Sequence, residues 1–596
     1  MGLRETLADP GPRVLEWDTK REVAFMSLRR RLATMTAAAC LIFLSACAPA
    51  TTPAPSAAAG TPATSVAPST SGAPAASEVA VASGTPGCQP STTSANPSDT
   101  LVVAASVLPI NFDGEKAVNI GNIEILETMA DHLVASKAVQ NKDGLWQYDF
   151  TQTIPQLADS WDISPDGTVF TFHLHHGVMS AYGNEFTSAD VVWRWQRMWS
   201  LKANGLGFFS LADLAGPQDV VAVDRYTVAF HLQHANGMFL TLMQNTFMYY
   251  IDSVEAMKHA TPDDPWALNW TEQNAAVFGP YTVTQNVPGQ QTVLEALPNY
   301  YGGPLPIKKI IYREVPDGSV QSQLLQAGQV DVATGLDALQ LLALNGQPGV
   351  KALSWAGTAE VPLIMNVKDP PFDNVLVRQA ISYAIPYDDI ISSVYQGTAT
   401  RWKSSVPSVF PGYTDAAWHY DTDIAKAKAL LAQAGHPNGF DTTLSFDGTF
   451  PDHEAIAVLL KTALAKVGIN VTINKLSSAA FAAQSGQRSL PFLIAVIFPG
   501  TPDVSFGIGN FLANATGANF ANYDNPQLDA LTKQSIETVD QAQRLPIFAQ
   551  MQQIVTQDAP WAYLAQPGYH VAVRSNIDHV TYYPVNVLRL GDITKC

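Results

Sequence analysis

Between Cys47 and Ser98 the chain runs almost entirely through Ala, Thr, Pro, Ser and Gly, with Glu78 as its only charge. Such a stretch has too little apolar surface to offset the entropy of ordering, so it is expected to stay a disordered coil. It splits the 596 residues into a short head and a long body. A coil of about 50 residues spans on the order of 40 Å, a length that suits a tether. The body behind it must be held by its core, because no cysteine lies between Cys88 and Cys596.

The head has the order of an export signal. In 26–47, MSLRRRLATMTAAACLIFLSAC, Arg29, Arg30 and Arg31 precede an apolar run over 32–44. That run is too short to span a bilayer comfortably and fits a signal-peptide core. It ends in Leu44-Ser45-Ala46-Cys47, which resembles the lipobox of bacterial lipoproteins, where the cysteine takes the lipid and becomes the first residue. Residues 1–25 carry Glu5, Asp9, Glu16, Asp18 and Glu22, unwelcome ahead of such a core, so translation is expected to start at Met26. A long n-region is the alternative. The expected location is the outer face of the cell membrane, held by an N-terminal lipid anchor.

The length allows three or four domains. Hydrophobic residues make up 47% and charged residues 14% of the chain, the latter below the usual share of about 25% partly because of the tether. A net charge of −18 argues against a nucleic-acid partner, which needs clustered Lys and Arg. None of the four cysteines forms a CxxC pair, which removes zinc-ribbon and thioredoxin-type motifs. No GxSxG, HExxH or Walker loop selects an enzyme, and no metal or cofactor is expected.

The body mixes strands and helices. Leu101-Val102-Val103-Ala104-Ala105 reads as a buried strand, 168–174 as an alternating one, and 490–498 (LPFLIAVIF) as another buried strand. Thr187 and Asp190 suggest a capping box ahead of a helix with Val191, Trp195 and Met198 on one face. Residues 280–287 and 291–296 flank Pro288-Gly289-Gln290, a hairpin. Asp423 caps a helix ending at Gly435, a helix over 453–467 stops at Gly468, and Asn525-Pro526 opens another.

Four blocks then carry a resemblance: IPQLADSWDISPDGTVFTFHLHHGV (154–178) continuing through GNEFTSADVVWRW (183–195); FGPYTV (278–283) through LLQAGQVDV (324–332); NVKDPPFDNVLVRQAISYAIPYDDII (366–391); and YDNPQLDAL (523–531). In this order they resemble the bacterial extracellular solute-binding proteins of family 5, the dipeptide, oligopeptide and nickel type. The resemblance implies an α/β, two-lobed periplasmic-binding-protein-like fold, with an extra domain inserted in the first lobe and a hinge-linked cleft. Lobe I would comprise 98–150, 270–362 and 568–596, the inserted domain 151–269, and lobe II 363–567, with hinges near 362–366 and 565–570. The implied function is solute capture for an ABC importer, by closure of the cleft on its ligand. Short peptides are the first expectation; a metal chelate, sugar or glutathione-like solute on the same fold is the alternative, and a hydrolase or sensor lipoprotein a weaker one. Permease subunits would be the partners, and a monomer is expected.

The resemblance also directs attention to residues. Peptide binders of this kind use an aspartate shortly before a Pro-Asp to take the peptide amino group. Aligning Pro502-Asp503 puts Gly500 at that place, within Phe498, Gly500, Thr501 and Asp503 as ligand-site candidates. Asp503 would replace the aspartate or cap a turn. Arg401 would pair with a ligand carboxylate and Trp402 offer a flat wall, or both would be scaffold. Asn119 and Gly121 would present backbone groups to an extended ligand. His173, His175 and His176 suggest metal ligands, but the family carries Arg-Lys at the last two, so a scaffold role is expected. With Cys40 leaving in the leader and Cys47 lipidated, Cys88 and Cys596 remain, and the family layout puts both chain ends in lobe I. A Cys88–Cys596 disulfide is expected, against two free thiols or an intermolecular bridge.

Overall fold

The structure, a computed structural model, describes residues 96–116, 119–203, 205–206, 211–513, 518–583 and 585–596. The leader, Cys47, the tether and Cys88 lie outside the described residues. The body mixes helices and sheets as an α/β protein.

The strand Thr100–Ala105 explains the apolar run that announces it. It lies inside a seven-stranded sheet, parallel to Lys309–Glu314 on one side and Val332–Ala333 on the other. Leu101, Val103 and Ala105 face one core, and Val102 and Ala104 face another. A strand buried on both sides cannot alternate with polar residues. The hairpin Tyr281–Val287 and Gln291–Ala296 forms the far edge of the sheet, with Gly289 at φ +72° in its turn. The opposite edge is Val350–Ala356, paired with the late strand Gly568–Arg574.

A second, five-stranded sheet is built from Val361–Met365, Asp441–Asp447, Asn470–Leu476, Phe492–Ile494 and Trp561–Ala565. Its helices begin and end where local chemistry dictates. Asn374 caps Val375–Ala384, Asp423 caps Ile424–Gln433, and Asn525 caps Pro526–Glu537. Gly435 and Gly468 take φ of +89° and +87° just beyond their helices. The buried strand expected over 490–498 is shorter, Phe492–Ile494. Proline is the reason. Ala495 faces Pro362, donates its N–H to the Pro362 carbonyl at 3.3 Å, and receives no N–H in return. Pairing resumes at Glu360 and Ile497, which exchange both bonds.

The two sheets are joined by chain crossings that run side by side. Val350–Ala356 pairs with Gly568–Arg574 in the first sheet, and Val361–Met365 with Trp561–Ala565 in the second. The crossings therefore run at 357–360 and 566–567, the first a few residues ahead of the expected 362–366. Gln566 ties them together: its Nε2 donates to the Gly357 carbonyl, and its backbone exchanges bonds with Thr400 at 2.8 and 3.0 Å.

A third sheet, Ala158–Ile163, Val169–Leu174, Thr227–His231 and Val220–Asp224, carries the helix Ser188–Leu201. The capping box of Thr187 and Asp190 is formed, and Val191, Trp195 and Met198 are buried. Arg194 and Arg197 leave the same helix for the first lobe. There Arg197 meets Asp113 and, at 3.0 Å, Glu115, while Arg194 pairs with Glu115 and donates to the carbonyls of Tyr249 and Phe247. All four charges are buried, so each depends on its partners.

Candidate functional site

The lobes meet where the loop after Phe492–Ile494 presses on the segment 241–246. Asn245 Nδ2 donates to the Gly500 carbonyl at 2.8 Å and reaches Thr501 Oγ1 at 3.4 Å. The Asn245 side-chain oxygen accepts from Phe247 N, which fixes the amide's direction. Phe150, Gln244, Asn245, Gly500, Pro502 and Tyr583 help line a hollow here with room for about one water molecule. Gln244 is held by Ser136 and Thr153, and Tyr583 donates to its carbonyl. A second contact lies beside it. Gly237 N donates to the Ile536 carbonyl, and the Gly237 carbonyl accepts from Gln541 and Arg544.

Beneath the hollow is the helix Ile120–Met129. Its Glu127 accepts from Thr246, the neighbour of Asn245, and burial pushes its carboxyl up to about 7. Glu124, a turn earlier, is likewise buried and pushed up to about 7, although Tyr312 donates to it. Asp131 at the helix exit pairs with Arg589 and accepts from Tyr300 and Tyr301.

The sequence candidates divide. Gly500 and Thr501 lie at the junction of the lobes, as described. Phe498 is half-buried against the second lobe's core. Asp503 caps the helix Val504–Phe511 and is paired with Arg544 at 2.7 Å, so its charge is already balanced. Trp402 is wholly buried, donates to the Val406 carbonyl, and packs its ring 4.7 Å from that of Tyr563. The Arg401 guanidinium lies 3.3 Å over the Tyr387 ring, donates to the Tyr420 carbonyl and meets Asp421 at 3.7 Å. Asn119 caps Ile120–Met129 and donates to the Leu108 carbonyl. Gly121 is packed so closely on 107–109 that a Cβ would sit 2.7 Å from the Leu108 carbonyl carbon. His173 pairs with Asp162, and His176 stacks on Tyr226. Cys596 is disulfide-bonded, and no other cysteine is among the described residues.

Sequence reading missed Gln244, Asn245, Tyr583 and Glu127, which come from three distant stretches of the chain and carry no motif. It also missed Glu360, a buried carboxylate on the first crossing that burial pushes well above the usual range, with no cation against it among the described residues.

Related proteins agree with this architecture. The chain is 28% identical to heme-binding protein A of Haemophilus influenzae over 490 residues, 76% of this chain and 87% of that protein. It is 26% identical to the dipeptide-binding protein of Escherichia coli, covering 72% of this chain and 83% of that one. Among solved structures, the periplasmic binding protein DppA of Helicobacter pylori in complex with the peptide STSA superposes with a TM-score of 0.69 at 26% identity, over 83% of this chain and 98% of that one. The profile described as "Bacterial extracellular solute-binding proteins, family 5 Middle" matches residues 152–519. With two sheets joined by paired crossings, a third sheet set into the first lobe, and that match, the chain belongs to the bacterial extracellular solute-binding proteins of family 5.

Proposed function

We propose that this protein captures short peptides outside the cytoplasm and delivers them to an ABC permease, tethered to the membrane by lipid on Cys47. The observation that carries the reading is the pair of adjacent crossings at 357–360 and 566–567, which lets two rigid sheets swing about one axis. A solute between the lobes gains contacts only when they close, so its differential affinity shifts the open–closed equilibrium. Micromolar capture requires about −8 kcal/mol in all, within reach of an enclosed pocket with a few placed polar groups. The similarity to a binding protein holding STSA, and to a dipeptide-binding protein, supports peptides as the class. The pairing of Asp503 with Arg544 favours a second reading, a non-peptide solute, because it removes the nearest carboxylate from service to a peptide amine. Similarity to heme-binding protein A keeps that reading open to test.

Mass spectrometry of protein purified natively from its own host separates the two. Release of peptides of two to five residues is the expected result. Release of a single non-peptide species would replace the peptide reading with the second.

A further inference from the structure

Phe506 belongs by chain to the second lobe, in the helix Val504–Phe511, yet it is 1% exposed and joins the apolar core of the third sheet, that of Phe170, Phe230, Met238 and Phe239. Ile536 packs against the same core from the end of Pro526–Glu537. The loop after Thr227–His231 lays Gly237 against the turn from that helix into the helix Gln541–Asp558. Gly237 N donates to the Ile536 carbonyl at 2.7 Å, and the Gly237 carbonyl accepts from Gln541 at 3.0 Å and Arg544 at 3.3 Å. A Cβ on Gly237 would meet the Thr538 carbonyl oxygen at 2.1 Å, the carbonyl carbon at 3.1 Å and Arg544 Cδ at 3.3 Å. All these atoms belong to the second lobe. Gly237 also lies outside the left-handed region, so its own backbone does not demand glycine. The lobe across the contact does.

Both sides of this contact are braced within their own lobes. Asn236 is buried, donates to the Leu211 carbonyl at 2.6 Å and accepts from Met238 N at 2.9 Å, which fixes the loop around Gly237. The helix Ser188–Leu201 is fastened to the first lobe through Arg194, Arg197, Asp113 and Glu115, and the third sheet with it. On the other side Arg544 is wholly buried. Besides Gly237 it donates to the Ser535 carbonyl at 2.8 Å, and to Ser505 Oγ and Asp503 at 2.9 Å. Asp503 closes the loop through Gly500 and Thr501 that Asn245 clasps. One arginine thus ties together both places where the lobes meet.

We propose that the third sheet is a latch on the second lobe, with Gly237 and Phe506 as its contacts, and that it holds the lobes closed through residues that do not line the hollow. Opening the lobes breaks the Gly237 hydrogen bonds and uncovers Phe506, so the latch favours the closed state whatever the solute. It sets affinity for all solutes alike, through the share of molecules that are closed, while the residues of the hollow choose among them. This rests on the reading of capture by closure and deepens it.

The test begins with the exported protein stripped of solute, so it does not depend on what the solute is. Gly237→Ala should enlarge the radius of gyration in small-angle scattering and speed amide exchange at 236–238 roughly tenfold or more, a usual size for coupling between two sites. Gln541 is exposed, so Gln541→Ala should fold normally and act in the same direction, more weakly. Phe506→Ala should act in that direction too. An unchanged radius in both Gly237→Ala and Gln541→Ala would overturn the latch, even with faster exchange, because the contact would then be local to the loop. The dipeptide Ala-Phe and trialanine serve next as probes in stopped-flow binding. Gly237→Ala should weaken both by the same factor, through faster release. Weakening of one alone would overturn the latch, since the contact would then be choosing the solute. If neither peptide binds the unaltered protein, the peptide reading falls and the scattering still decides the latch.

Discussion

Glu124 and Glu127 occupy successive turns of Ile120–Met129, and burial lifts each carboxyl to about 7 against about 4.5 in the open chain. A carboxyl raised by folding is protonated at low pH in both states. Its stabilising contribution is full below about 4.5 and drains away as pH rises through about 7. A shift of this size is worth at most about 3 kcal/mol per group. Glu127→Gln removes the titration while keeping an acceptor for Thr246. Urea unfolding at pH 5 and pH 8 should therefore show a smaller difference in stability for this variant than for the parent protein, with the gain appearing at pH 8. An unchanged difference would mean that Glu127 is not the group being charged. Neither glutamate draws attention in the sequence, because IGNIEILETM carries them between apolar residues like any surface acid on a helix. Only the packing of Thr246, Tyr312 and the chain near Leu588 over the helix reveals that both are enclosed.

Helix ends were the most legible elements, and for a local reason. Asp423, Asn525-Pro526, Gly435 and Gly468 act on groups within a few residues, so the chemistry that stops or starts the helix is written beside it. Strands depended on distant partners. Trp146–Pro155 went unread because its residues are mostly half-exposed or exposed, and its pairing with Val134–Gln140 shifts register at Ser136 and Lys137. The over-long reading of 490–498 failed on a single residue more than a hundred positions away, Pro362. Arg401 and Trp402 follow the same rule: their types fit a ligand, but the rings of Tyr387 and Tyr563 that engage them come from elsewhere in the chain. The expected leader carries a prediction of its own. If Cys47 carries lipid, Cys47→Ala should move the protein from the membrane fraction to the aqueous phase on detergent partition, and unchanged retention would refute the anchor. The proposed Cys88–Cys596 bond joins this tether to a tail already held by pairing of Ile577–Asp578 with Thr594–Lys595 and by Lys595 against Asp331 at 3.0 Å. It would therefore order the tether's end more than it strengthens the body.

At the scale of the whole molecule, the direct polar links at this junction among the described residues are few: Asn245 to Gly500, and Gly237 to Ile536, Gln541 and Arg544. Asn245→Ala removes one of them and should shift the empty protein toward an open form. Small-angle scattering should then show a larger radius of gyration than for the parent protein, with the two converging at saturating solute. Equal radii without solute would mean that this amide does not help hold the lobes together. The order of strands in the first sheet has another effect, on how the protein comes into being. Gly568–Arg574 lies inside that sheet, flanked by Val350–Ala356 and Val332–Ala333. Synthesis proceeds from the N-terminus, so the sheet lacks an interior strand until residues 568–574 have been made. Pairings this distant in sequence also form slowly. The first lobe thus cannot complete its sheet before that strand has been made, which would leave time for the expected leader to engage a polypeptide that is still unfolded.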